Sequence, residues 1–83
     1  MEKDAIFGKV KEILGSEFGI DSEEISLESH LADALHLDSL DMVDLVLNIN
    51  DQKLVNEKID PTIFKNARTI QDLINALEPF WKK

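Results

Sequence analysis

Three runs of this 83-residue chain set apolar side chains three and four positions apart, the spacing that gathers them on one face of an α-helix. The first run carries Ile6, Phe7, Val10, Ile13, Leu14 and Phe18; the second carries Met42, Leu45, Val46 and Ile49; the third carries Ile70, Leu73, Ile74 and Leu77. A chain patterned this way folds by packing those faces together. Three glycines, two prolines and few aromatic residues leave little material for β-hairpins, while 43% apolar residues exceed what a disordered chain carries. The expectation is one all-α domain over residues 1–83, because a chain of this length supplies a single modest core.

Local signals set the boundaries. The first helix is expected at about residues 4–18, with Asp4 near its positive end and Gly19 as a left-handed terminator. Gly15 is a weak interior point, costing about 1 kcal/mol relative to alanine. From Ile20 to Asp38 the periodicity fades, and Asp21, Ser22, Ser26 and Ser29 supply turn chemistry for a long loop with room for one short helical turn. Its apolar residues Ile20, Ile25, Leu27, Leu31, Leu35 and Leu37 are too many for a free linker and are expected to pin it to the helices.

The second helix, at about 39–52, opens with Asp38 as N-cap and Asp41 three positions on, which makes Ser39 its first helical residue. Leu40, Val43 and Leu47 form a second apolar stripe turned away from the first. A small domain buries one such stripe and hardly both, so the second is expected to be a partner surface or the wall of a cavity. Asp60-Pro61 starts a short third helix at about 61–65, and Thr69 with Asp72 caps a fourth at about 70–77, which stops near Pro79. Phe80 and Trp81 either cap the core or form a loose tail.

Charge narrows the function. Seventeen acids against nine bases give a net charge of −8, which repels nucleic acid and anionic membrane and favours proteins with basic surfaces. With no cysteine, disulfides and thiolate metal sites are out of reach, and any thiol chemistry has to be borrowed. No apolar run approaches the roughly 20 residues of a membrane span, and the start MEKDAIF lacks a signal pattern, so a soluble cytoplasmic protein is expected.

His36 stands three residues before Ser39, but no glycine-rich strand-to-helix elbow supports a hydrolytic pair, and His30 and His36 read as solvent-facing loop residues. Asp38, Asp41 and Asp44 share a helix face, yet they lack the alternation and central glycine of a Ca²⁺ loop, so no metal site is expected beyond weak cation screening. Ser39 is different. A first-turn serine has a free hydroxyl, and the positive end of a helix stabilises a phosphate there by roughly 0.3–1 kcal/mol. The triplet Asp-Ser-Leu alone is an ordinary helix start, so the surrounding sequence has to decide.

That context is LHLDSLDMVDLV at 35–46, preceded by VKEILGSEFGIDSEEI at 10–25 and followed by TIQDLINAL at 69–77. In these segments, and so over nearly its whole length, the chain resembles the acyl carrier proteins, small acidic domains that carry acyl chains on a 4′-phosphopantetheine arm. The resemblance implies a four-helix bundle with three longer helices, one short one and a long loop between the first two. It places Ser39 at the attachment position, to be modified from coenzyme A by a Mg²⁺-using phosphopantetheinyl transferase. The arm brings its own thiol, and the protein itself is then no enzyme and has no catalytic residue. Asp38, Asp41 and Asp44 match the acidic positions that meet basic docking patches on acyl- or aminoacyl-activating and acyl-transferring enzymes. Leu40, Val43 and Leu47 match apolar positions beside the arm, and a monomer is implied.

Three departures stand out. His36 takes the place of a glycine common before the motif, which leaves open a different backbone path or a contact to the arm. Lys53 and Lys58 intrude in NINDQKLVNEKI, where the family is strongly acidic. IDPTIFKNARTIQDL is similar to peptidyl and aminoacyl carriers, which share the fold and the serine. A dedicated carrier for a specialised lipid or polyketide-type pathway is the favoured reading. An aminoacyl or peptidyl carrier stays open, as does a small acidic helical adaptor that uses Ser39 only as a cap or phosphorylation site.

Overall fold

The computed structural model describes residues 2–82, so Met1 and Lys83, the ends of the expected domain, lie outside the described residues. Helix α1 runs Glu2–Phe18, two residues earlier than the spacing suggested, and buries Ile6, Val10, Ile13 and Leu14. Phe7 and Phe18 from the same run are half-buried at the edge of the core. Gly19 ends the helix with φ 68°, the left-handed backbone that a residue without Cβ adopts freely, and the Ile20 N–H donates back to the Leu14 carbonyl at 3.1 Å.

Helix α2 runs Ser39–Asp51, with Gln52 as its C-cap, and helix α3 runs Ile70–Leu77. The expected short third helix is a 3₁₀ turn, Pro61–Phe64, started by Asp60, whose carboxylate accepts the Thr62 N–H. Four residues opened by a proline close i→i+3 bonds and then stop, too few to establish α geometry. Among the described residues the architecture is therefore three α-helices with short 3₁₀ turns, of which Ser22–Glu24 and Glu78–Phe80 are the others. Among the described residues, no helix is long and apolar enough to cross a membrane.

One buried cluster unites α1, α2 and α3 with the loops. Leu45, Val46 and Ile49 of α2 and Ile70, Leu73, Ile74 and Leu77 of α3 are almost fully removed from water. Each such side chain stabilises the fold by about 1.5–3 kcal/mol relative to exposure. From the long loop, Ile25, Leu31, Leu35 and Leu37 are buried and Ile20 and Leu27 pack against the cluster, which explains why its apolar content is so high.

Backbone bonds sew that loop to the start of α3 and to the two residues before it. Leu31 donates to the Arg68 carbonyl at 2.9 Å, Ile70 to Ser29 at 3.0 Å and Gln71 to Leu27 at 2.9 Å, around an isolated bridge between His30 and Thr69. The segment after α2 is held in a similar way. The Asn50 side-chain amide donates to the Ile59 carbonyl and accepts the Ile59 N–H, both at 3.0 Å. A second bridge pairs Val55 with Trp81, and Trp81 is buried, so the C-terminal segment covers the core.

Candidate functional site

The start of α2 is built by local chemistry. Asp38 sits in extended backbone and its Oδ1 accepts the Asp41 N–H at 3.0 Å, while Asp41 Oδ2 accepts the Asp38 N–H at 3.0 Å. This reciprocal box takes up two of the backbone groups that a helix start leaves over. The N–H groups of Ser39 and Leu40 keep no protein acceptor among the described residues. Ser39 is exposed, and its hydroxyl makes no hydrogen bond among the described residues. A free hydroxyl thus stands beside two free amide donors at the positive end of a helix.

Beside Ser39 opens a cleft of about 790 Å³. One wall is the loop and the start of α2, with Leu31, Leu37, Met42 and Val43. The other wall is the Pro61–Phe64 turn and the residues that follow it, including Phe64, Ala67, Lys65 and Arg68. Asp60 holds that turn, and its carboxyl lies below the usual value because it accepts the Thr62 backbone N–H and its hydroxyl. The cleft reaches Ser39, so a chain tethered to this hydroxyl has an apolar groove within reach.

The second apolar stripe of α2 stays outside. Leu40 is 74% exposed, Leu47 51% and Val43 38%, whereas the first stripe is buried except for half-buried Met42. Asp44 is exposed, its carboxylate has no hydrogen-bond or ion-pair partner among the described residues, and its backbone carbonyl accepts the Asn48 side-chain amide at 3.0 Å. Of the three aspartates expected to meet partners, Asp38 and Asp41 therefore have a structural task in the cap and Asp44 has none. No group of three or more His, Cys, Asp or Glu among the described residues converges to hold a metal ion.

His30 and His36 are exposed and neither bonds to Ser39. His36 has φ 58°, so the chain turns through left-handed backbone two residues before the cap, a conformation that glycine takes without penalty. The glycine-to-histidine departure thus keeps a glycine-like backbone and pays with local strain. Sequence reasoning missed the far wall of the cleft, because Lys65, Ala67 and Arg68 follow no periodic pattern and reach the site only through the bonds that join residues 27–31 to α3.

Residues 8–77 match the family described as PP-binding, phosphopantetheine attachment site. The chain is 35% identical to "Acyl carrier protein 2" of Ralstonia nicotianae over 94% of both chains. It is 34% identical to "Acyl carrier protein" of Thermotoga maritima over 92% of this chain and 91% of the relative, and 39% identical to that of Phaeodactylum tricornutum over 87% and 92%. Among solved structures, the apo doublet acyl carrier protein from prodigiosin biosynthesis has a TM-score of 0.74 at 20% identity, covering all of this chain and 40% of that one, a likeness of fold. The exposed Ser39 hydroxyl, the free amides and the adjoining cleft suit a phosphate-linked arm, and with the match spanning most of its length the chain belongs to the phosphopantetheine attachment-site family, carriers rather than catalysts, whose prosthetic group is 4′-phosphopantetheine.

Proposed function

We propose that this protein carries acyl intermediates as thioesters on a 4′-phosphopantetheine arm joined to Ser39. It works as a cytoplasmic monomer and serves a dedicated lipid or polyketide-type pathway. The observation that carries the reading is the placement of Ser39: exposed, unbonded at its hydroxyl, first in α2 and at the mouth of the cleft. The names of the relatives support acyl cargo.

Each local feature has a task in that reading. The Ser39 hydroxyl oxygen attacks the phosphorus of coenzyme A that bears pantetheine, the bond to the nucleotide portion breaks, and the hydroxyl proton passes to the transferase. The N–H groups of Ser39 and Leu40, which have no acceptor among the described residues, would be available to the phosphodiester oxygens. When bound, the arm supplies the thiol that this cysteine-free chain lacks. Asp44 steers basic enzyme surfaces at long range, and Leu40, Val43 and Leu47 add short-range apolar contact. Asp38 and Asp41 add charge to the same surface while holding the helix start.

The test is to incubate the protein with coenzyme A, Mg²⁺ and a broad-specificity phosphopantetheinyl transferase, then to weigh it. Gain of one phosphopantetheinyl group, lost in Ser39→Ala, is expected; no gain, or gain that persists in the variant, sinks the reading. Asp44→Lys should slow loading without disturbing the cap, and added salt should slow the wild type too. Cargo class follows from which enzyme loads the holo form. An aminoacyl-activating enzyme succeeding where acyl-activating ones fail would overturn the acyl assignment.

A further inference from the structure

Two polar hollows adjoin at α2, and Asp51 lines both. One, of about 320 Å³, carries Glu17, Asp41, Asp44 and Asp51 beside exposed Leu47. The other, of about 360 Å³, carries Lys53, Lys58 and Lys82 against Asp51 and Glu57. In a chain with nine bases and seventeen acids, three of the bases gather at one place. None of them forms a salt bridge with a described acid, and all three are exposed.

The gathering is built by the fold. Lys53 follows the C-cap of α2 with φ 56°, a backbone that disfavours any side chain with a Cβ and usually falls to glycine or asparagine. A positive charge at a helix C-terminus complements the helix dipole, which accounts for Lys53 alone. Lys82 arrives from the other end of the sequence, because its N–H donates to the Leu54 carbonyl at 2.9 Å and the Asn56 N–H donates to Phe80 at 2.8 Å. Lys58 is placed by the Asn50–Ile59 amide pair next to it. Three separate constraints converge on one cationic hollow beside the acidic one.

We infer that Lys53, Lys58 and Lys82 form a second docking patch, for an acidic surface of the enzyme that loads or unloads this carrier, so that the acidic face of α2 and the basic hollow beyond its C-terminus are read together as one bipolar surface. This rests on the carrier reading above. The partner would present basic groups to Asp44 and acidic groups to the lysines, separated by no more than the length of α2, roughly 20 Å. An enzyme whose basic patch extended over both hollows would meet like charge at one of them, so the lysines select partners as well as bind them.

The experiment is an amide NMR titration of the 83-residue chain, before and after loading, at low ionic strength, with hexaglutamate and hexalysine peptides. Hexaglutamate should shift the amides of Lys53, Asn56, Lys58 and Lys82, hexalysine those of Asp41 and Asp44, and both responses should vanish at high salt. The triple variant Lys53→Glu, Lys58→Glu, Lys82→Glu should bind hexaglutamate at least tenfold more weakly. Lys3→Glu, Lys9→Glu, Lys11→Glu, an equal charge change on α1, should leave it within twofold. Glutamine replacements at the same three patch positions give the same direction with less added charge, should the glutamate variant not fold. Hexaglutamate shifts elsewhere, an unchanged affinity in the patch variant, or an equal loss in the α1 variant would overturn the inference. Ser39 loading in the patch variant reports separately on the carrier reading, since a chain that loads normally but shows no patch fails only here.

Discussion

At its first turn α2 is closed by Asp38 and Asp41, each accepting the other's backbone N–H at 3.0 Å, whereas its last turn runs into Lys53 with φ 56°. The first end satisfies the local rules for starting a helix: an extended N-cap, a carboxylate at the third position, acids at the positive pole. The last end breaks one of them by putting a Cβ where glycine is preferred. The first end displays an exposed hydroxyl beside a cleft, and beyond the last turn, which ends in Asp51, the chain displays the charge of Lys53. A helix whose ends differ this much offers a partner both polarity and direction along its axis.

The sharpest break in that comparison is Ser39→Ala. It should abolish attachment of the arm, read by mass, and leave the unfolding free energy within about 0.5 kcal/mol, since the hydroxyl bonds to nothing among the described residues. Along the helix the two apolar stripes should separate as clearly. Leu45→Ala removes a side chain with no exposure and should cost about 2–5 kcal/mol in chemical denaturation. Leu47→Ala, half exposed, should cost no more than about 0.5 kcal/mol while weakening association with the loading enzymes. Equal destabilisation by the two would mean that the outer stripe belongs to the fold and leaves nothing for a partner.

Much of this was readable from spacing alone, and the reason is local. The capping boxes at Asp38–Asp41 and Thr69–Asp72, the left-handed Gly19 and the core stripes involve residues within four positions of each other, so the sequence displays their physics directly. The exposure of Leu40, Val43 and Leu47 also followed, because one helix in a small domain has only one covered side. What stayed hidden is long-range. The bridges His30–Thr69 and Val55–Trp81, the far wall of the cleft and the meeting of Lys82 with Lys53 all depend on pairing between segments tens of residues apart. His36 lies between these cases: the resemblance marked it as standing where glycine is common and left its backbone path open, and the φ of 58° shows that the glycine-like path is kept.

The caps provide the next contrast. Asp38→Ala opens the box at the start of α2 and should lower stability by about 1 kcal/mol. At the other end, Lys53→Gly relieves the left-handed strain and should raise stability by up to about 1 kcal/mol, less the entropy that glycine adds to the unfolded chain. The same substitution removes one charge of the basic hollow, so a more stable protein that binds hexaglutamate less well is the combined expectation. A loss of stability in Lys53→Gly would show that the lysine side chain, and not its backbone, holds that turn.

The smallest effect tests whether the rule that starts α2 is general in this chain, using the matching start of α3. Asp72 accepts the backbone N–H groups of Arg68 at 3.1 Å and Thr69 at 3.3 Å, and those two bonds hold its carboxyl below the ordinary value of 3.8. A carboxylate whose folded value is depressed adds stability above its unfolded value, and that stability is lost as pH falls through the folded one. The contribution of Asp72 is therefore complete at neutral pH and declines below 3.8. Asp60 behaves in the same sense through its bonds to Thr62. Asp72→Asn keeps an acceptor oxygen but no titrating group, so its unfolding midpoint should fall less steeply than that of the wild type as the pH drops below 3.8. Parallel curves for the two proteins would show that the α3 cap gains nothing from charge, and would leave the cap of α2 to be explained by geometry alone.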